Sequence, residues 1–328
     1  MRALLLKSYN APFTLTEIPR PVPSAGQVLV RIMASGVNPL DTKIRAGAAA
    51  HARVTLPAVL GMDLAGVVEE VGTGVTAFKP GDEVYGMTGG VGGLQGSLAE
   101  FASVDADLLA IKPSNLSMRE AAALPLIVIT AWEGLVDRAG VHAGQKVLIH
   151  AGAGGVGHVS IQIARAFGAE VFATVSAAKK AIVEEFGATS IDYQTTPVSE
   201  YVTEHTQGAG FDIVYDTVGG TTLDASFEAV RTYTGHVVSC LGWGTHKLAP
   251  LSFRGATYSG VFTLMPMLTG KGRAHHGEIL RDAARLAEAG KLKPLLNPQR
   301  FTLQTAAEAH SAVASGNAVG KSVVEIVS

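Results

Sequence analysis

Apolar and polar positions follow two rhythms along the chain. As far as Pro113 the apolar runs are short, and Phe13 to Ile18 alternates with a period of two. The runs are Arg2 to Leu6, Phe13 to Ile18, Gln27 to Ala34, Gly61 to Gly72, Glu83 to Gly86 and Ser97 to Val104. Turns such as Pro19 to Pro23 and Lys79-Pro80-Gly81-Asp82 separate them and argue against helices. Several short strands with that punctuation predict a small barrel-like or sandwich-like β domain. Asn38-Pro39 opens a short helical stretch, with Pro39 at a first-turn position. The tract Ala46 to Ala52, almost all Ala and Gly apart from His51, reads as a loop able to move over a site.

From Ser117 the rhythm changes. Ser117, with Glu120 three residues on, has the pattern of a capping box, and Thr130 to Ala139 continues helically. From Val147, strands and helices alternate. The strands are Val147 to Ile149, Val171 to Val175, Thr189 to Ile191, Phe211 to Asp216 and Gly235 to Ser239. The helices are Gly155 to Phe167, Ala177 to Phe186 and Leu223 to Val230. That order predicts a parallel sheet covered on both faces. The tail has a helical pattern from Gly277 to Ala289. Strands Phe301 to Leu303 and Ser322 to Val327 then flank a helix, Thr305 to Ala314. The expected organisation is a β-rich domain of residues 1–124 plus 265–328, with an α/β domain, 125–264, inserted in it.

The inserted segment opens on V-L-I-H-A-G-A-G-G-V-G, Val147 to Gly157. A strand runs into Gly152, Gly154 and Gly157, spaced G-x-G-x-x-G, and a helix starts at Gly155 and Val156. Strand, glycine turn and helix in that order make the motif a dinucleotide-binding candidate. Gly152 allows the turn, Gly154 lets a pyrophosphate approach the backbone, and Gly157 lets helix and strand pack closely. The helix start offers N–H groups to the pyrophosphate. A binder of the unphosphorylated cofactor carries an acid at the end of the second strand. This chain reads Val175-Ser176-Ala177-Ala178-Lys179-Lys180, a hydroxyl and two ammonium groups suited to a 2'-phosphate. NADPH is therefore the expected cofactor. Asp216-Thr217-Val218-Gly219-Gly220 and Ser239-Cys240-Leu241-Gly242 close the fourth and fifth strands, where a dinucleotide would lie. This makes Thr217 and Ser239 further candidates.

Composition narrows the field. The 328 residues are 47% hydrophobic and 16% charged, with 26 basic and 28 acidic residues, so nothing suggests a polyanion partner. No apolar run is long enough for a membrane span, and the start M-R-A-L-L-L-K is too short for a secretion signal. A cytoplasmic enzyme is expected. Cys240 is the single cysteine, and no H-E-x-x-H or G-x-S-x-G occurs, so zinc-protease and serine-hydrolase chemistry lack their motifs. Gly320-Lys321-Ser322 lacks the upstream glycine of a phosphate-binding NTP loop.

Several further motifs carry a resemblance. They are Asn38-Pro39-Leu40-Asp41, Gly61-Met62-Asp63-Leu64-Ala65-Gly66, Lys79-Pro80-Gly81-Asp82-Glu83-Val84, Thr130-Ala131-Trp132 and Ala151 to Gly157. With them the chain resembles the medium-chain dehydrogenase/reductase superfamily, in its zinc-free quinone oxidoreductase, or zeta-crystallin-like, branch. The resemblance implies a GroES-like β-rich catalytic domain plus an inserted Rossmann domain with a doubly wound parallel sheet, commonly in homodimers or homotetramers. It places Asn38, Met62 and Thr130 where zinc relatives hold their catalytic metal, and Asp63 where their glutamate stands. Amide, thioether and hydroxyl do not make that site. It implies Asn38, Asp41 and Thr130 at the nicotinamide end, Lys179 on the 2'-phosphate, Tyr193 on the adenosine side and Lys321 beside the cofactor. Where quinone-reducing relatives carry tyrosines, this chain has Lys43 and Ala49. The implied activity is hydride transfer from NADPH to a quinone or an α,β-unsaturated carbonyl compound. Tyr85 is a candidate proton donor, and a packed strand tyrosine is the other reading of it. The rival functions are alcohol oxidation and non-catalytic nucleotide sensing.

Overall fold

A computed structural model describes residues 1–316 and 319–326. The chain forms two compact units, Met1–Ile129 with Leu264–Ser328, and Thr130–Thr263. The strands of the first unit are β1 (Arg2–Leu6), β2 (Thr14–Glu17), β3 (Gln27–Gly36), β4 (Ala58–Val59), β5 (Asp63–Val71), β6 (Glu83–Met87), β7 (Phe101–Asp105) and β8 (Leu109–Ile111). Among them lie the helices α1 (Pro39–Arg45) and α2 (Met118–Ala122), and α3 (Pro125–Trp132) leads into the second unit. That unit holds β9 (Lys146–Ile149), α4 (Gly155–Ala166), β10 (Glu170–Val175), α5 (Lys180–Glu185), β11 (Thr189–Asp192), α6 (Val198–Thr206), β12 (Ile213–Asp216), α7 (Thr221–Ala229), β13 (His236–Ser239), α8 (Ala249–Arg254) and β14 (Thr257–Gly260). The chain returns to the first unit with α9 (Met265–Thr269), α10 (Arg273–Glu288), β15 (Phe301–Thr302), α11 (Ala306–Ala314) and β16 (Val323–Glu325).

The first unit is built on a seven-stranded sheet along the path β15-β16-β3-β5-β6-β8, with β7 also on β3, and a small sheet β2-β1-β4. The long β3 and β5 pair antiparallel with two register shifts, bends that let the sheet curl. Gly66 allows this contact, because a Cβ there would lie 2.2 Å from the carbonyl oxygen of Arg31 on β3. The tail comes back to the start when β16 pairs antiparallel with β3, Val323 opposite Gly36.

The second unit is a six-stranded sheet in the order β11-β10-β9-β12-β13-β14. Every pairing in it is parallel. Strand order reverses between β9 and β12, the arrangement of a doubly wound sheet. Central β9 has no polar alternation because Val147, Leu148 and Ile149 are all buried. Under one face Phe172, Phe211, Phe227, Leu223 and Tyr201 form a continuous core.

Several expectations shift. Residues Ser97 to Glu100 are not strand, and β7 begins only at Phe101; the earlier stretch makes two backbone bonds to β1 and two to Leu60 and Gly61, before β5. The Ala46 to Ala52 tract is no open loop. It ends in a short 3-10 turn, Ala50–Ala52, whose Ala52 is buried and accepts the Gly92 N–H at 2.9 Å. The pattern from Thr130 to Ala139 is the end of α3 followed by a π-turn, Glu133–Arg138. Ser117 and Glu120 form the capping box read from their spacing. α6 and β14 are additional elements. Val327, the last residue of the expected terminal strand, lies outside the described residues.

Candidate functional site

Two groups of candidate residues stand out, one in each unit. In the second unit, β9 runs into the glycine turn and α4. A Cβ on Gly152 would lie 2.6 Å from that of Ala173 on β10, and one on Gly157 would lie 2.2 Å from the Ala151 carbonyl oxygen. Both close approaches therefore require glycine. A Cβ on Gly154 would meet only the Ala151 oxygen, at 3.1 Å, so this edge of the turn is open. Gly154 is the N-cap of α4 and no side chain caps the helix, which leaves the N–H groups of Gly155, Val156 and Gly157 without a side-chain acceptor. Bare first-turn donors beside an open backbone edge fit a pyrophosphate.

Behind this turn lies a buried polar network. His150 Nδ1 is 3.0 Å from Thr174 Oγ1, which also accepts the Ala151 N–H at 3.2 Å. Thr217 Oγ1 donates to the His150 carbonyl at 2.8 Å. Asp216, with no exposed surface, accepts from the N–H groups of Val218 (3.0 Å) and Gly219 (2.9 Å) and from Ser239 Oγ (2.6 Å). The hydroxyls of Thr217 and Ser239 thus hold the loops beyond β12 and β13 in shape. Burial pushes His150 down to about 4, with Asp216 pulling the other way, so its imidazole is neutral at physiological pH.

The end of β10 leads into Ser176 and the 3-10 turn Ala177–Lys179, which carry no acid. The two lysines differ. Lys180 pairs with Glu184 at 3.6 Å along α5, whereas the half-buried Lys179 has no ion-pair partner among the described residues. Tyr193, just past β11, is 59% exposed.

The first unit brings Asn38, Asp41 and Lys321 together, and adds Asp63. Asn38 caps α1 and donates its backbone N–H to Asp41 Oδ2 at 2.8 Å. Its Nδ2 donates to Asp63 Oδ2 at 2.8 Å, and Asp63 Oδ1 accepts the Leu126 N–H at the start of α3 at 2.9 Å. Lys321 Nζ donates to Asn38 Oδ1 and, at 3.0 Å, to the Val37 carbonyl. All four side chains are buried. Burial pushes Asp41 up to about 7 and Asp63 up to about 6 against the pull of Lys321, whose own value burial lowers. Asp41 Oδ1 has no hydrogen-bond partner among the described residues.

Two further candidates are Tyr85 and Thr130. Tyr85 is fully buried on β6 and donates to the Leu280 carbonyl of α10 at 2.6 Å. Thr130, buried near the end of α3, accepts Tyr215 Oη on its carbonyl at 2.6 Å. From sequence Asp63 is placed only where the family's glutamate stands and Asp216 only in a loop; neither is named as a candidate site residue. Their signal is an acid at the end of an otherwise apolar strand, in M-D-L-A and I-V-Y-D, where a charge is buried and must be hydrogen-bonded.

This geometry has known counterparts. The family of alcohol dehydrogenase GroES-like domains matches residues 24–114, and that of zinc-binding dehydrogenases matches 186–324. The 2-methylene-furan-3-one reductase of Solanum lycopersicum is 38% identical over 91% of this chain and 71% of its own. The chain belongs to the medium-chain dehydrogenase/reductase superfamily. The chloroplastic NADPH-dependent alkenal/one oxidoreductase of Arabidopsis thaliana is 36% identical over 91% of this chain and 72% of its own. A crystal structure of an alcohol dehydrogenase superfamily protein from Novosphingobium aromaticivorans superposes with a TM-score of 0.98 at 57% identity, covering 100% of both chains.

Within the medium-chain dehydrogenase/reductase superfamily this chain falls in the zinc-independent quinone/enoyl-reductase branch, an oxidoreductase group that uses NAD(P)H. Asn38, Met62 and Thr130 are all buried. Among the described residues, no group of three or more His, Cys, Asp or Glu is placed to hold a metal ion. Among them, too, no helix is long and apolar enough to cross a membrane.

Proposed function

We propose that the protein is a reductase that prefers NADPH over NADH and passes hydride to a quinone or an α,β-unsaturated carbonyl compound. The observation that carries the cofactor choice is Lys179. Its ammonium is without an acidic partner among the described residues, at the acid-free end of β10, while its neighbour Lys180 is engaged by Glu184. Ser176 adds a hydroxyl to the same turn, and Tyr193 offers an exposed ring for the adenosine side. Gly152, Gly154, Gly155, Val156 and Gly157 shape the pyrophosphate turn, and Thr217 and Ser239 hold the neighbouring loops.

NADPH, when bound, supplies a hydride from C4 of its nicotinamide. The acceptor's oxygen gains negative charge, and water supplies the balancing proton. The chain meets that charge with hydrogen bonds rather than a Lewis acid, since amide, thioether and hydroxyl occupy the metal-ligand positions. The candidate donors to that oxygen are the Asn38 amide, which Lys321 and Asp63 also engage, the Thr130 hydroxyl and the ribose hydroxyl of the cofactor. Asn38, Asp41 and Lys321 act by holding α1 and the start of α3.

A steady-state screen pairing NADPH and NADH with quinones, alkenals and cyclic enones tests the activity. Tight NADPH binding without turnover of any class would sink it. Lys179→Ala should raise KM for NADPH about tenfold, the loss of one charge-assisted contact, and leave NADH within about twofold. Equal effects on both cofactors remove Lys179 from the phosphate site.

A further inference from the structure

The loop after β13 carries an aromatic side chain for which cofactor binding has no use. The Trp243 indole is 56% exposed and meets Phe262 edge-on, ring centres 6.4 Å apart. The backbone on either side of it is fixed. The Cys240 N–H donates to the Asp216 carbonyl at 3.3 Å, and the Leu241 N–H donates to Ser239 Oγ at 3.1 Å. Further on, His246 Nδ1 is 2.9 Å from Asp224 Oδ1, and its ring meets Phe227 edge-on. A Cβ on Gly242 would lie 2.2 Å from Tyr258 Oη, so a side chain there would have to push that ring aside. A loop held at both ends therefore presents a large rigid ring to its surroundings.

A single exposed apolar residue needs no explanation in itself. Position distinguishes this one. The more exposed Tyr233 and Phe253 precede β13 and β14, at the amino edge of the sheet, where the Tyr233 N–H bonds the Arg254 carbonyl at 2.7 Å. Trp243 follows β13, at the carboxyl edge, as Val218, 47% exposed, follows β12. In a doubly wound sheet the dinucleotide crosses the strand reversal at that edge. With the phosphate end at Lys179, beyond β10, the nicotinamide end falls on the β12–β13 side. From Pro39 to Arg53, α1 and the tract behind it hold no Phe, Tyr or Trp.

We infer that Trp243 is a specificity-determining residue whose indole face packs against the flat conjugated ring of cyclic acceptors, quinones above all. The inference rests on the reductase reading above. An aromatic platform rewards a planar ring far more than a short acyclic enone, because stacking scales with shared flat surface.

The test compares a naphthoquinone with methyl vinyl ketone at saturating NADPH, in the wild type, Trp243→Ala and Trp243→Phe. Trp243→Ala should lower kcat/KM for the naphthoquinone about tenfold, about 1.4 kcal/mol, while methyl vinyl ketone changes less than about twofold. NADPH Kd should stay within about twofold, and Trp243→Phe should recover most of the loss. Equal losses on both acceptors, no loss on either, or a weaker NADPH Kd would overturn the assignment. Calorimetric binding of the naphthoquinone to NADP-loaded protein separates the two layers. Wild type that turns over neither acceptor defeats the reductase reading. Weaker naphthoquinone binding by Trp243→Ala still supports the platform, and unchanged binding defeats it.

Discussion

At the scale of single residues, burial sorts side chains that look alike in sequence. Tyr85 and Tyr193 are both tyrosines in or next to strands, yet one is fully enclosed and the other exposed. The hydroxyl of Tyr85 is committed to Leu280, and burial raises its pKa well above the usual phenol value, so it holds its proton at any working pH. Tyr85→Phe is therefore expected to leave kcat within about twofold while lowering stability by about 1 kcal/mol, one buried hydrogen bond. Parallel activity assays and thermal melts check this, and a hundredfold loss of kcat in a well-folded variant would make Tyr85 a proton donor after all. The choice between Lys179 and Lys180 was not legible in the residues themselves, since both follow the same strand. It becomes legible only when the i,i+4 geometry of α5 gives Glu184 to Lys180.

At the scale of elements, Asp63 and Lys321 act as a fastener. One carboxylate holds the Asn38 amide before α1 and the first turn of α3, and the lysine beside it comes from the returning tail. Lys321→Met leaves two buried carboxylates without a cation, a change that costs on the order of 3–5 kcal/mol. Chemical denaturation should show that loss, and Lys321→Met combined with Asp63→Asn should recover part of it. No recovery would mean that the lysine's packing, not its charge, matters. The elements legible in sequence were those with a strong period or a clear cap: β3, β5, α1, α4 and α10. β14 was missed because Thr257-Tyr258-Ser259-Gly260 is a mostly exposed edge strand with little apolar pattern. α6 was missed because its nine residues, Val198–Thr206, put only a narrow apolar stripe, Val198, Tyr201 and Val202, on the core. The Asp63–Lys321 fastener was invisible for a different reason: its partners lie far apart in the chain, and no local rhythm joins them.

At the scale of the whole molecule, buried titratable groups set how stability follows pH. Burial holds His150 and His310 at about 4, below the ordinary 6.5, so the unfolded chain takes up protons that the folded chain refuses. Their contribution is intact above 6.5 and is lost as pH falls toward 4. Asp41 and Asp63 act with the opposite sign, their contribution fading as pH rises through about 6 to 7. His310 packs edge-on against Phe13, ring centres 5.0 Å apart, so a phenyl ring suits its place. The melting temperature of His310→Phe should therefore drop less than that of the wild type between neutral pH and about pH 5. Parallel curves would remove His310 from the acid response. At this scale the sequence was most informative, because alternating strand and helix in the middle and short strands at both ends leave few arrangements open.

The pairing of β16 with β3 has a consequence in time. A ribosome releases Gln27–Gly36 long before Val323–Glu325, so the first unit's sheet lacks a strand through most of synthesis. The second unit is continuous, Thr130–Thr263, and all its strands are out before that partner arrives. On the nascent chain the nucleotide-binding sheet can close first, while one edge of β3 waits for Val323–Glu325 to emerge.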